Sequence, residues 1–323
     1  MYLGVSCLIQ GRIFMPKYVR NIHTETDVSS LINEFIEAKR LRGLSDFTLN
    51  ADKFTLSKFF EHYTGKLQDN LAIKKAVQEF LMGKGNAYYN KQLSIMNQFF
   101  TYCLTEGVKK GNPCDDFKYR KTTNRIIDYD EQTIKQILKM PNQRTFSGFR
   151  DYVFMLTMLD TGIRPYEAIQ LRISDVQENT LRVRAETSKT RTERYLPITK
   201  QCLQAIRKLI AVRHETWDKK GVVFCGCTGE PLHRKSMQLR FVEYSKKLGI
   251  NVTVYHLRHT FALWYIRNGG DAFSLQKIMG HTTLEMTRTY VNIAMTDVRK
   301  NHAACSPLRN FLGKDKERVG KIE

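Results

Sequence analysis

Apolar residues recur every three to four positions along most of this chain and every second position in only one short region. The first spacing is that of a helix burying one face, and the second is that of a strand. "VSSLINEFIEAKRLRG" puts Leu31, Ile32, Phe35 and Ile36 on one face, and Gly43 stops it. Ser45 caps a second helix with Phe47, Leu49, Phe54, Leu56 and Phe59 as its apolar positions. "NLAIKKAVQEFLMGKG" predicts a third helix ending at glycine. "YYNKQLSIMNQFFTYCLTEG" predicts a fourth, with Leu93, Met96, Phe99, Phe100 and Leu104 facing inward. Together they predict a helical bundle over residues 25–112. "KKGNPCDDFKYRKTTNR" has no apolar period and contains Asn112-Pro113, which places a linker at 113–127.

A second unit is predicted over residues 128–305, opening with the helical runs "YDEQTIKQILKM" and "GFRDYVFMLTMLDTG". Two strand-like runs, "TLRVRAE" and "RYLPIT", flank "TSKTRTE" and predict a small antiparallel sheet. Helices are expected at about 200–214, 235–248, 257–268, 272–279 and 284–292. The fold class is mainly α, of α+β type. Residues 1–24 read as a poorly ordered extension, in which Met15 offers a second start, and 306–323 as a basic tail.

Charge narrows the function. The chain has 52 Lys+Arg against 32 Asp+Glu, a formal net charge of +20. An excess of this size fits a polyanionic partner, most commonly nucleic acid. Lys53, Lys58, Lys74, Lys75, Lys91, Lys109 and Lys110 occupy the polar faces of the first unit, as solvated charges or as a phosphate-gripping surface. Seven cysteines follow no pairing pattern, which argues for reduced thiols and a cytoplasmic location. Cys225-Gly-Cys227 lacks a second Cys/His pair at ligand spacing, so it reads as a turn; no metal or cofactor is expected. No apolar run approaches the ~18 residues that span a bilayer, and no membrane partner is expected.

The candidate chemistry lies in the second half. Arg164 sits in "DTGIRPYEAIQL", Arg258 in "YHLRHTFALW", and His281 and Tyr290 in "MGHTTLEMTRTYVN". Opening a phosphodiester with tyrosine and no metal requires four things. They are a nucleophile, cationic donors to the non-bridging oxygens, an acceptor for the phenol proton, and a donor to the departing 5′ oxygen. Arginine grips phosphate bidentately and stays charged, and tyrosine bonds covalently to phosphorus. Pro165 favours a helix start, which puts Arg164 at an N-terminus that attracts phosphate. Glu167, three residues on, shares that face and orients the catalytic groups. His281 is read as a phosphate donor or an orienter of Arg258, and His259 as structural. Singly, each has a plainer reading: a surface arginine, a packing tyrosine, a capping histidine. What outweighs those readings is the resemblance that their order and spacing carry, with Tyr290 nine residues after His281.

In these motifs the chain resembles the tyrosine recombinases of the phage integrase family, over roughly residues 25–305. The resemblance implies a SAM-like core-binding bundle that covers one side of DNA, joined by the hinge of a C-shaped clamp to the catalytic domain. It implies a site-specific recombinase that cuts one strand per site and stores the bond as a 3′-phosphotyrosine, for integration, excision or resolution of a mobile element or replicon. It implies Lys189, between the strand runs, as general acid, with Arg191 and Arg194 as neighbouring alternatives. The short N-terminal extension implies a simple Xer-like or transposon-type enzyme without an arm-binding domain. Such an enzyme works as a homo-tetramer on double-stranded DNA with inverted-repeat core sites, with room for accessory DNA-bending proteins. Leu308, Phe311 and Leu312 stand where a C-terminal segment docks on a neighbouring subunit.

One position departs from the family pattern. The histidine three residues before the second arginine is here Tyr255, with His256 beside it. On a helix Tyr255 takes the geometric slot, but a phenol is a poor base near neutral pH. The proton-transfer role stays open between Tyr255 and His256. A type IB topoisomerase, which reseals the same strand, is the alternative activity. An inactive DNA-binding regulator is a third reading, and the presence of Arg164, Arg258 and Tyr290 argues against it.

Overall fold

The computed structural model describes residues 27–122, 126–218, 220–233, 235–294, 302 and 306–311. The extension at 1–24, Cys305 and Leu312 lie outside the described residues. The chain divides into two compact units, Met1–Asn124 and Arg125–Glu323.

The first unit holds α1 (Val28–Leu41), α2 (Asp46–His62), α3 (Asn70–Leu81) and α4 (Asn86–Thr105). Asp27, Ser45 and Asp69 accept hydrogen bonds from first-turn N–H groups of α1, α2 and α3. Such caps contribute about 1 kcal/mol each, and they are why the helices begin there. Leu31, Phe35, Leu56, Phe59, Met96, Phe99 and Phe100 form the core, with Phe35 and Phe99 edge to face at 5.6 Å.

Three expected core positions are exposed: Phe47 (68%), Phe54 (67%) and Leu104 (43%). The buried stripe of α2 is Leu49, Asp52, Thr55, Leu56 and Phe59. At about 100° per residue, Phe47 and Phe54 fall on the far side of the helix from that stripe. Asp52 is buried because Lys39 reaches it through the core and also donates to Gln98 at 2.9 Å. In α4, Cys103 fills the place expected of Leu104. Lys109 is buried too: its ammonium donates to the Leu67 carbonyl and lies 5.9 Å from the Phe100 ring centroid. It belongs to the core, not to a DNA-facing surface.

The predicted linker is partly structured. Cys114 is buried in the first core and Phe117 packs on it. Asn90 clamps the backbone of Arg120 through bonds of 2.7 and 2.8 Å, while the Arg120 guanidinium covers the Tyr89 ring. Residues 113–121 therefore belong to the first unit, and on the other side Tyr129 enters the second core.

The second unit is built on α6 (Phe146–Thr161), whose Val153, Phe154, Met155 and Met158 have no exposed surface. Around it lie α5 (Glu131–Lys139), α7 (Pro165–Ile169), α8 (Lys200–Ala211), α9 (Ser236–Leu248), α10 (Val254–Arg267), α11 (Ala272–Met279) and α12 (Leu284–Ala294). Strands β1 (Thr180–Val183) and β2 (Arg194–Pro197) pair antiparallel, with Val183 opposite Arg194. They are shorter than their apolar runs, because Thr187 and Ser188 bond back to the Arg184 carbonyl and start a turn. Mainly α with one small antiparallel sheet, the architecture agrees with the sequence reading.

Two ends in this unit position the site. Helix α6 stops at Gly162, which takes φ +60 in the left-handed region and frees its carbonyl. Helix α10 starts at Val254, three residues earlier than expected, because His256 accepts the Thr253 N–H at 3.2 Å and closes a cap. No described helix is long and apolar enough to cross a membrane.

A candidate active site around Tyr290

Arg164 is the N-cap of α7, with Pro165 at the first helical position. Its backbone N–H donates to Glu167 Oε2 at 3.1 Å, Nη1 to Oε1 at 3.0 Å, and Nη2 to the Gly280 carbonyl at 2.7 Å. Glu167 is 3% exposed and also holds Arg194, at 3.1 and 2.5 Å. Burial pushes the Glu167 carboxyl up, but the hydrogen bond and charge of Arg194, then Arg164, outweigh it and keep it below the usual range. One ionised carboxylate thus aims two guanidiniums.

Arg258 is 5% exposed on α10. Its Nη1 donates to the Gly162 carbonyl and its Nη2 to the Met279 carbonyl at 2.6 Å. The two glycine-marked helix ends, of α6 and α11, are therefore tied to one guanidinium. Burial, then Arg164, lowers its pKa to about 9, so it stays cationic at neutral pH. Three guanidiniums share one carboxylate here. A partly buried excess of positive charge is costly until an anion enters.

Tyr290, on α12, is 5% exposed. Its hydroxyl lies 2.7 Å from His259 Nδ1 on α10, and its ring stacks on His281 at 6.2 Å between centroids. Burial raises the phenol pKa, with Arg258 opposing. His281 lies three residues ahead of α12, in the turn that follows α11. Its Nδ1 is 2.9 Å from the hydroxyl of Thr287, a residue with no exposed surface.

The remaining predicted residues are distributed less tightly. Lys189 is exposed on the turn between β1 and β2, outside the buried cluster. Tyr255 is 47% exposed and lines a small recess with Pro165 and Tyr166, beside the start of α7. His256 does not turn to Tyr290. Its Nδ1 serves the Thr253 cap and lies 2.9 Å from the Tyr129 hydroxyl, which itself donates to the Asn251 carbonyl. It stands two residues before Arg258, nearly opposite it on the helix. Cys225 and Cys227 flank a turn, one buried and one exposed.

Three members of the site escaped the sequence reading. The sequence offers Arg194 only as an alternative acid and His259 as structural, and it carries no signal for Thr287. The signal for His259 was its spacing, four residues after Tyr255 on the same helical face.

Two expectations follow from this geometry. Gly280 has φ +61, and a Cβ there would stand 3.2 Å from Arg194 Nε and 3.3 Å from Arg164 Nη1. Gly280→Ala should cost about 1 kcal/mol or more through the left-handed backbone alone. It should also displace both guanidiniums, read as a lower melting temperature with weakened DNA cleavage. The second expectation is a pH dependence. Burial first, then neighbouring cations, depress His259 and His281 from 6.5 to about 4. Below pH 6.5 the unfolded chain takes up protons that the native site refuses, so stability falls from pH 6.5 toward pH 4. Thermal melts across that window should show the decline, and His281→Gln should flatten it. A melting temperature indifferent to pH there would contradict the buried neutral histidines.

Comparison with known proteins places the fold. Residues 128–297 match the family model of the phage integrase family. The tyrosine recombinase XerC of Thermodesulfovibrio yellowstonii is 25% identical over 300 residues, covering 88% of this chain and 98% of its own. XerD of Staphylococcus epidermidis is 25% identical over 300 residues, covering 87% and 99%. Among solved structures, the Tn1549 transposon integrase in complex with circular intermediate DNA has a TM-score of 0.68 at 18% identity, over 81% of this chain and 94% of that one. A lambda integrase tetramer bound to a Holliday junction gives 0.68 at 18% identity, over 80% and 78%. Since the family match takes in more than half of the residues and includes Arg164, Arg258, His281 and Tyr290, the chain belongs to the phage integrase family, the tyrosine recombinases, which exchange DNA strands at specific sites.

Proposed function

We propose that Tyr290 is the nucleophile, attacking phosphorus while Arg164 and Arg258 clasp the non-bridging oxygens. The observation that carries this reading is one cationic cluster: Arg164 on α7 and Arg258 on α10 donate to the adjacent carbonyls of Gly280 and Met279, and Tyr290 on α12 bonds to His259, the residue after Arg258. His281 donates from Nε2 to the phosphate, and Glu167 positions Arg164. Tyr255 donates to the phosphate from its exposed place beside α7. Lys189 reaches from its turn to the 5′ oxygen as general acid; a flexible stem suits a group that meets DNA only in the complex. The strand is held as a 3′-phosphotyrosine until a partner 5′-OH attacks. One phosphoester replaces another, so the exchange needs no ATP.

The first unit acts as the core-binding domain of a DNA clamp, and the enzyme works as a homo-tetramer on two duplexes with inverted-repeat core sites. It acts in the cytoplasm, on a mobile element or replicon, with accessory DNA-bending proteins as further partners. Leu308 and Phe311 are 59% and 76% exposed, and a cavity of about 630 Å³ lined by Leu159, Phe261 and Trp264 can receive such side chains from a neighbouring subunit. The relatives above are named recombinases and integrases, which favours exchange over the topoisomerase reading. The test is a plasmid carrying two copies of a duplex site that the protein selects from a randomised pool. Recombinant junctions between the copies are expected; supercoil relaxation without junctions would transfer the chain to the alternative.

A further inference from the structure

Resting on Tyr290 as nucleophile, we propose that His259 accepts the phenol proton during cleavage, in place of the histidine that this chain lacks at Tyr255. Three observations converge on it. His259 Nδ1 lies 2.7 Å from the Tyr290 hydroxyl, within the reach a general base needs. The alternatives are engaged elsewhere: His256 Nδ1 serves the Thr253 cap, and His281 Nδ1 meets Thr287. Tyr255 is half exposed and carries a phenol, no stronger a base than the group it would have to deprotonate.

The step balances. The Tyr290 oxygen bonds to phosphorus as its proton passes to His259 Nδ1. The bond from phosphorus to the 5′ oxygen breaks, and that oxygen leaves with a proton from Lys189. On resealing, a 5′-OH attacks, its proton returns to Lys189, and the His259 imidazolium reprotonates the departing phenolate. The groups facing His259 are Tyr290 from α12, His281 from the turn before it, and His256 and Arg258 from its own helix. Without DNA, burial, then His256 and the Arg258 cation, keep the ring neutral, and in the tautomer with the proton on Nε2 its Nδ1 accepts from the Tyr290 hydroxyl. A bound phosphate adds negative charge against Arg258 and raises the basicity when the step requires it.

The test uses the full chain and a nicked duplex enriched from a randomised pool by covalent capture on the wild-type protein. H259N keeps a hydrogen-bond acceptor but removes the base. Expected is a fall of about 10²-fold in single-turnover cleavage at pH 7, with DNA affinity unchanged. The wild-type rate should be flat from about pH 6.5 to 8, while the H259N rate climbs about tenfold per pH unit because cleavage then needs the phenolate. Adding Y255H to H259N should restore at least about tenfold. Cleavage by H259N within threefold of wild type, or an unchanged pH profile, overturns the proposal. Ring ¹⁵N NMR of the wild-type protein, assigned by its change in Y290F, decides the matter even if H259N fails to fold. An unprotonated Nδ1 is expected, and a protonated Nδ1 overturns the proposal. If the wild type captures no duplex, the nucleophile assignment fails, while the NMR still reports on His259.

Discussion

Tyr290→Phe should abolish covalent capture of DNA and leave the fold in place. The substitution removes one oxygen, the atom to be esterified, and keeps the ring that stacks on His281 at 6.2 Å. Loss of a nucleophile that acts as one unit with its partners costs on the order of 10⁴-fold or more in rate. The stability change should be small, because one hydrogen bond of 2.7 Å to His259 disappears and a half-buried ring nitrogen loses its donor, about 1 kcal/mol. Detergent-resistant adducts on a nicked duplex, scored beside thermal melts, separate the two effects. Adduct formation by the phenylalanine variant at anything near the wild-type level would remove Tyr290 from the mechanism.

Arg258→Lys should damage activity and stability together, which distinguishes it from Tyr290→Phe. The guanidinium bridges the Gly162 and Met279 carbonyls, at the ends of α6 and α11, while its charge serves the cluster. A lysine ammonium is a point donor on a flexible stem and spans one carbonyl at best. Losing a preorganised donor to the developing charge costs about 10²–10³ in rate. Leaving a buried carbonyl unpaired costs about 1–3 kcal/mol. Arg164→Lys should lose a similar factor in rate with less stability, because Arg164 is 14% exposed and Arg194 still holds Glu167. Urea titrations with single-turnover cleavage measure both quantities. A wild-type rate in Arg258→Lys would show that the charge alone suffices and that the fork geometry is unimportant.

Helix positions were legible in the sequence wherever a cap or stop accompanied the period. Ser45, Gly43 and the 272–279 run are read at the same places in sequence and structure. Which face of α2 turns inward was not legible, because a buried Lys39–Asp52 pair forms between helices and outranks two phenylalanines. The linker start was misplaced for a similar reason. Cys114 and Phe117 are too few to make a period, yet they pack on the first core.

In the site, the Arg164–Glu167 unit was readable from Pro165 and the three-residue spacing. The His259–Tyr290 bond was not, because it depends on how α10 crosses α12, and no local pattern encodes that crossing. The fate of His256 was hidden in the same way. Its cap on Thr253 extends α10 by a turn and takes the ring nitrogen away from the chemistry.

The central claim is that the Tyr290 oxygen becomes joined to a DNA 3′ phosphate in the grip of Arg164 and Arg258. Its most direct measurement is mass spectrometry of the trapped complex after nuclease and trypsin digestion, together with chemical analysis of the released strand. A nucleotide on the peptide Thr289–Arg299, attached at Tyr290, with a free 5′-OH on the released strand, is the predicted result. A nucleotide on another residue, or attachment through a 5′ phosphate, would contradict it.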